Sequence, residues 1–546
     1  MFHFRKTKKQ MIALCLSAAL SAGSLTAYAA TEYWNDASTK PMVETKTPIS
    51  DNTNWEQWKA GWDNLKTNYE QVALTPGADF SKLNFGWYSK EKTDKAMVRI
   101  ADNKDMKNAK EFKGTCTEGT VINGVQYYSN KVTADGFKPN STYYYQVKLN
   151  GEWQQAQEYK TGDPDNFSFM FVGDPQIGSS YKQKNAESNG KKLGNDLAAR
   201  NDSYNWNVTL NKAMEQHPEI DFLVSPGDQV SVKGNEDAKD LKEQEDQYSG
   251  YLSASVLRNL PQAVAIGNHD CSSASYQNHF NNPNPFLEES TPTPAGNGYF
   301  YSYGNALFIV INANNYNAAD HKALIEKAIK ENPNAKWRIV VMHQDIYGSG
   351  LDHSDSDGII LRTQLTPIFD ANDIDVVLQG HDHSYARTYQ LTSDGQAHDE
   401  FLEYKQDQGG FNHDNFDERF EKDGVFRAYY KSQNLCYNIA DKSQGTVVNP
   451  EGVFYLTSNS ATGSKFYNLI PEQQDYVAAR SQNWRPSYSV INITKDSFTV
   501  NTYDVETGEA IDSSYTIVKK VNDDLYKSER IFLITFILQL FLYIFI

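Results

Sequence analysis

Five short apolar runs between residues 168 and 383 each lead into a residue able to hold a cation. SFMFVGD reaches Asp174, IDFLVSPGD Asp228, AVAIGNHD Asn268, RIVVMH His343, and DVVLQGHDH both His381 and His383. Short runs rich in Val, Ile, Leu and Phe read as interior strands covered on both faces. Helical spacings separate them: Trp206, Leu210, Ala213 and Met214; residues 251–257; Leu324, Ile325, Ala328 and Ile329 after a further run ALFIVINAN; and Leu365, Ile368 and Phe369. Alternating strand and helix predicts an α/β domain with a largely parallel centre. In such sheets the ligand crevice lies beyond the carboxyl ends of the strands, so these distant residues can meet there. A single Gly-Asp after a strand is ordinarily a turn or a helix cap. Five recurrences of mixed Asp, Asn and His chemistry are poorly explained that way. An extended backbone through residues 381–383 would point both histidines to one side and Asp382 to the other.

The chain has 546 residues, too many for one ordinary core. Its formal charge is -17 even though Arg5, Lys6, Lys8 and Lys9 open it, which argues against general nucleic-acid binding. Those cations, the run MIALCLSAALSAGSL and the triplet Ala27, Tyr28, Ala29 predict a secretory signal peptide over residues 1–29, and so a secreted or cell-surface protein. Beyond it remain Cys116, Cys271 and Cys436, an odd count at wide spacing that predicts buried thiols rather than a disulfide framework. At the other end, IFLITFILQLFLYIFI reaches only about 24 Å as a helix, short of a hydrocarbon core of about 30 Å. Its nearest cations, Lys519, Lys520, Lys527 and Arg530, would lie on the exported side, against the usual charge bias. Length and charge thus disfavour a membrane anchor, and the other reading is a non-native tail or one from an altered reading frame.

Between these ends the pattern changes twice. Residues 30–67 form a leader with Trp55, Trp58, Trp62, Leu65 and Tyr69 at helical spacing, a capping box at Thr53 and Glu56, and an apolar stripe expected to dock on the next domain. Residues 68–162 alternate in short segments such as KAMVRIAD and KPNSTYYYQVKL, which predicts an antiparallel sandwich of immunoglobulin or fibronectin III type. Residues 163–520 are the α/β domain, with a polar insertion at 398–450 that carries no recognisable role, and 521–546 are the tail.

The ordered motifs GDPQ, GDQVS, GNHD, VMH and GHDHSYAR resemble those of the calcineurin-like metallophosphoesterases, and specifically the purple acid phosphatases. The likeness takes in the preceding sandwich. It implies a four-layer αββα catalytic domain and a secreted hydrolase acting on phosphate esters with two divalent ions, zinc, manganese or iron. By it Asp228 bridges the ions, Asp174 and His383 belong to the first, and Asn268, His343 and His381 to the second. A carboxylate suits a bridge between two cations, and the ions would present hydroxide to phosphorus. His269 is the candidate proton donor to the departing oxygen, with Asp270 orienting its ring, and His353 the candidate phosphate contact. Tyr385 and Arg387 are expected to pack or pair near the site. Two positions depart from the pattern. Ser231 stands where the family has a tyrosinate on ferric iron, and Gln176 where related enzymes have a histidine ligand, leaving an amide oxygen for metal or water. Phosphate monoesters are the leading substrate class. The rivals are a phosphodiesterase or nucleotidase on the same ions, and a surface-binding protein with a vestigial site.

Overall fold

A computed structural model describes residues 55–520 apart from 184–190, 236, 352, 355–357, 397–421, 423, 425–435 and 471–472. The expected signal peptide, Thr53, much of the insertion and the C-terminal tail lie outside the described residues. Among the described residues no helix is long and apolar enough to cross a membrane.

Residues 73–160 build two antiparallel sheets. One runs Ala73–Pro76, Lys82–Ser89, Val125–Asp135, Thr115–Ile122; the other centres on Met97–Ala101 and Thr142–Leu149. Their alternating apolar side chains, among them Phe85, Trp87, Val98, Val132 and Val147, close a core of their own.

The α/β domain stacks two larger sheets. In the first, Gln262–Val264, Ile220–Ser225 and Asn166–Phe171 run parallel and continue into antiparallel strands from Ser487–Thr494 onward. In the second, Ala306–Val310, Trp337–Val341, Val376–Gln379 and Val453–Thr457 are parallel neighbours. Strand periodicity shows directly in what each residue touches. Phe169, Phe171, Val376 and Leu378 face the core between the sheets. Met170 and Val172 turn to the helices outside the first sheet, and Val377 to those outside the second. This is the four-layer αββα arrangement, with a β sandwich ahead of it.

Three features depart from expectation. The helix expected near residues 251–257 lies at Ala238–Leu252, where the Asp237 side chain accepts the amide hydrogens of Lys239 and Asp240 and starts it. Helix Trp55–Leu65 docks on the α/β domain rather than on the adjoining sandwich. Trp58 Nε1 donates to the Arg200 carbonyl oxygen and Trp62 Nε1 to Asp196, each at 3.0 Å. Of the thiols only Cys436 is buried; Cys116 and Cys271 are half-buried, and all three are unbridged.

The junction of sandwich and α/β domain carries a titratable group. Asp221, on strand Ile220–Ser225, accepts the Ser168 amide hydrogen at 3.2 Å. Burial, with Asp163 and Glu219 nearby, pushes its carboxyl up to about 7. In an unfolded chain it titrates near ~4. Folding therefore favours the protonated form, a contribution fully present below about pH 4 and lost as pH rises to about 7. Asp221→Asn removes that slope. Its melting temperature relative to the parent's is expected to climb by several degrees between pH 4 and pH 8; a constant difference across that range would contradict this.

Candidate metal centre

Each candidate ligand follows its strand by two to four residues, at the carboxyl ends of both parallel sets. The two sheets bring those ends together. His343 Nε2 lies 3.4 Å from Asp228 Oδ2 and 3.0 Å from Asn268 Oδ1, and its Nδ1 is 3.8 Å from Asp174 Oδ1. His383 Nε2 stands 3.8 Å from the same Asp174 oxygen. His381 packs edge-on to His343 with ring centroids 4.7 Å apart, and ligand atoms of Asp228, His343 and His381 all fall within 4.8 Å of one another. Gln176 Nε2 donates to Asp228 Oδ2 at 3.3 Å. All seven side chains therefore share one centre, and Asp228 is its middle.

The backbone is bent to achieve this. Asp174, Gln176, Asp228, His381 and His383 all adopt positive φ, between 35° and 68°, which ordinary residues seldom do. A set of five around one point is the strain expected where geometry is over-determined by function. It also corrects the extended backbone expected across 381–383. The His381 amide hydrogen is drawn instead to Asp174 Oδ2 at 2.9 Å, and the Asp382 amide hydrogen to the Gly380 carbonyl oxygen at 2.7 Å, so the segment turns. Gly267 is required by close approach, because a Cβ there would lie 2.1 Å from Asp228 Oδ1.

Three buried atoms at the centre, Asp174 Oδ1, Gln176 Oε1 and His343 Nδ1, have no hydrogen-bond partner. Buried polar atoms are rarely left so. Oxygen and imidazole donors without a thiolate among them suit zinc, manganese or iron, so the residues fit a pair of divalent ions. The protein's own charges agree. Burial opposes ionisation of Asp228, but His343 and His269 overcome it and hold its carboxyl well below the usual range. Burial opposes the charged form of His343 too, and Asp228 raises it to about 9. Burial pushes Asp174 up to about 7, with the Asp228 charge adding to it. Loading cations onto such a set displaces protons, so affinity rises with pH.

The other candidates fall differently. His269 donates its amide hydrogen to Asp228 Oδ1 at 2.8 Å, and its Nε2 is 4.0 Å from Asp228 Oδ2. Asp270 does not orient the His269 ring, contrary to expectation. Its carboxylate turns inward to accept the Gly267 amide hydrogen at 2.9 Å and the Tyr248 hydroxyl at 2.8 Å, and the ring's Nδ1 meets the Ser231 carbonyl oxygen instead. His353 stacks on His381 with centroids 3.7 Å apart, and its Nε2 lies 3.3 Å from the Tyr467 hydroxyl. Tyr385 and Arg387 both pair with Asp512, Tyr385 at 2.8 Å. The loop at 458–467 was not anticipated. It contributes Lys465, whose carbonyl oxygen meets His383 Nδ1 at 2.9 Å, and Tyr467. Its signal was available: it follows strand Val453–Thr457, the parallel neighbour of Val376–Gln379.

Residues 167–385 match the family model of the calcineurin-like phosphoesterases, which defines the class: a metal-dependent phosphoester hydrolase. Residues 69–161 match the model of the purple acid phosphatase N-terminal domain. The chain is thus a purple acid phosphatase-like member of the calcineurin-like phosphoesterases. Among solved structures it is similar to purple acid phosphatase PPD1 from yellow lupin (Lupinus luteus) seeds, with a TM-score of 0.55 and 12% identity over 84% of this chain and 76% of that one. A structure of PhoD aligns with a TM-score of 0.47 and 14% identity, over 85% of this chain and 97% of that one. No curated protein matches the chain.

Proposed function

We propose that the chain is an exported, acid-phosphatase-like enzyme that hydrolyses phosphate monoesters. The observation that carries this reading is the meeting of Asp174, Asn268, His343, His381 and His383 around the one buried carboxylate of Asp228. Asp228 is assigned to both ions, Asp174 and His383 to the first, and Asn268, His343 and His381 to the second, with the amide oxygen of Gln176 as an added contact. Two divalent ions supply there the charge that activates a water and neutralises phosphate oxygens. The chain's own residues do the rest. His269 holds a proton for the departing oxygen, and His353 contacts the phosphate. Export rests on the cationic start and apolar run of residues 5–29. The test is turnover of aryl phosphate, bis-aryl phosphate and nucleotide substrates with added manganese, zinc or iron, beside metal analysis. Two bound ions without turnover of any phosphate ester would overturn the reading.

The role of His353 depends on a latch. Asp382 Oδ2 accepts the amide hydrogens of Ser349, at 2.9 Å, and Gly350, and the Ser354 hydroxyl at 2.8 Å, which wraps the loop ahead of His353 around the turn bearing His381. A Cβ on Gly350 would sit 2.3 Å from the Asp382 carboxylate. Gly350→Ala is therefore expected to displace His353 and cut kcat/KM by about 10²-fold, the usual cost of a small misplacement, while both ions stay bound. Unchanged kinetics would remove His353 from the site.

A further inference from the structure

The loop at 458–467 is fastened to both sheets at the point where their strands end. Its Ala461 amide hydrogen goes to the Gly173 carbonyl oxygen at 2.7 Å and its Ser458 amide hydrogen to that of Gln379 at 3.1 Å, while the Thr462 hydroxyl donates to the Pro175 carbonyl oxygen at 2.8 Å. Gln482 Nε2 donates to the carbonyl oxygens of Tyr467 and His383, at 2.6 and 2.8 Å, which ties the far end of the loop to the histidine turn. A segment held this way presents its side chains in fixed positions, as recognition groups require.

Two side chains stand out. The buried Tyr467 ring lies edge-on to His353, at 5.1 Å, and to His383, at 5.3 Å. Lys465 Nζ sits over that ring, 4.5 Å from its centre. The ammonium is thus one ring away from both histidines, on a half-buried residue.

We infer that Lys465, seated on Tyr467, reads the charge of the phosphoryl group and makes the site select dianionic monoesters over monoanionic diesters. This rests on the phosphatase reading above and deepens it. A monoester above its second pKa of about 6 carries one more charge than a diester. An ammonium several ångströms from that charge, at the effective dielectric of a protein surface, is worth about ten- to a hundredfold in discrimination. The planar ring holds the end of the flexible lysine stem against Tyr467, so less ordering is needed on binding.

The experiment uses two substrates with one leaving group, 4-nitrophenyl phosphate and bis(4-nitrophenyl) phosphate, at pH 7.5 on metal-loaded protein. Lys465→Met is expected to lower the monoester-to-diester ratio of kcat/KM by about tenfold or more, and Lys465→Arg to preserve it. Metal content should stay at the parent's value in both. A second readout needs no turnover: inorganic phosphate, measured by calorimetry, should bind Lys465→Met about tenfold more weakly than the parent. An unchanged ratio together with unchanged phosphate affinity overturns the inference and leaves the phosphatase reading standing. A parent protein inert to both esters would sink that reading instead, and the phosphate titration would still decide the role of Lys465.

Discussion

Asp228→Ala is expected to abolish turnover, lowering kcat/KM by at least about 10³-fold, and to leave no more than one ion bound per chain. The reason is position rather than charge alone. Asp228 is buried, and its Oδ2 is approached by His343 Nε2 at 3.4 Å, Gln176 Nε2 at 3.3 Å and His269 Nε2 at 4.0 Å, while Oδ1 takes the His269 amide hydrogen. Asp174 Oδ1 stands farther out, 3.8 Å from both His343 Nδ1 and His383 Nε2. Removing Asp228 takes away the anion that two neighbouring cations would share, and it leaves two close imidazoles without a counter-charge. Asp228→Asn separates shape from charge, because it keeps the volume and one acceptor oxygen. Metal analysis beside an aryl phosphate assay reads both effects, and a variant that kept two ions and full turnover would remove Asp228 from the centre.

The part of this architecture legible in the sequence is the part set by local pattern. Strands covered on both faces announce themselves as apolar runs, as in Val376, Val377 and Leu378. A ligand placed just past such a run must lie at the crevice because parallel strands end together. The sandwich was equally plain, since side chains that alternate between core and solvent alternate in the sequence. What was not legible depends on contacts between distant segments. The turn at His381 and His383 is made by Asp174, 207 residues earlier, which captures the His381 amide hydrogen. Asp270 was expected to hold the His269 ring, but Tyr248 and the Gly267 amide group claim its carboxylate, and nothing beside GNHD announces them. Helix Asn195–Gln216 buries Asn201, Asp202, Asn205 and Asn207 alongside Trp206 and Leu210, so its apolar stripe says little about what covers it. The helix Trp55–Leu65 finds its partner there, across the sandwich in sequence, which no reading by proximity along the chain would choose.

His269→Ala is expected to divide substrates by leaving group while both ions remain. The ring's Nδ1 faces the Ser231 carbonyl oxygen, so Nδ1 carries a hydrogen and Nε2 is the end able to pass a proton on. That end is 23% exposed as part of the side chain, open enough to meet a substrate. Burial pushes the imidazole down to about 4, with Asp228 opposing the shift. The charged donor form is therefore scarce at neutral pH and gains ground as pH falls, which gives the parent enzyme an acid-favoured rate on esters that need a proton. An alkyl phosphate expels a strongly basic alkoxide and should lose about 10²- to 10⁴-fold in kcat/KM when His269 is removed, the usual worth of general acid catalysis. A 4-nitrophenyl ester expels a stabilised phenolate and should lose less than about tenfold. The variant's alkyl phosphate profile should also lose its rise toward acid pH. Equal losses on the two esters, with metal content intact, would mean that the His269 ring only shapes the centre beside Asp228 Oδ2, and the proton would have to come from elsewhere.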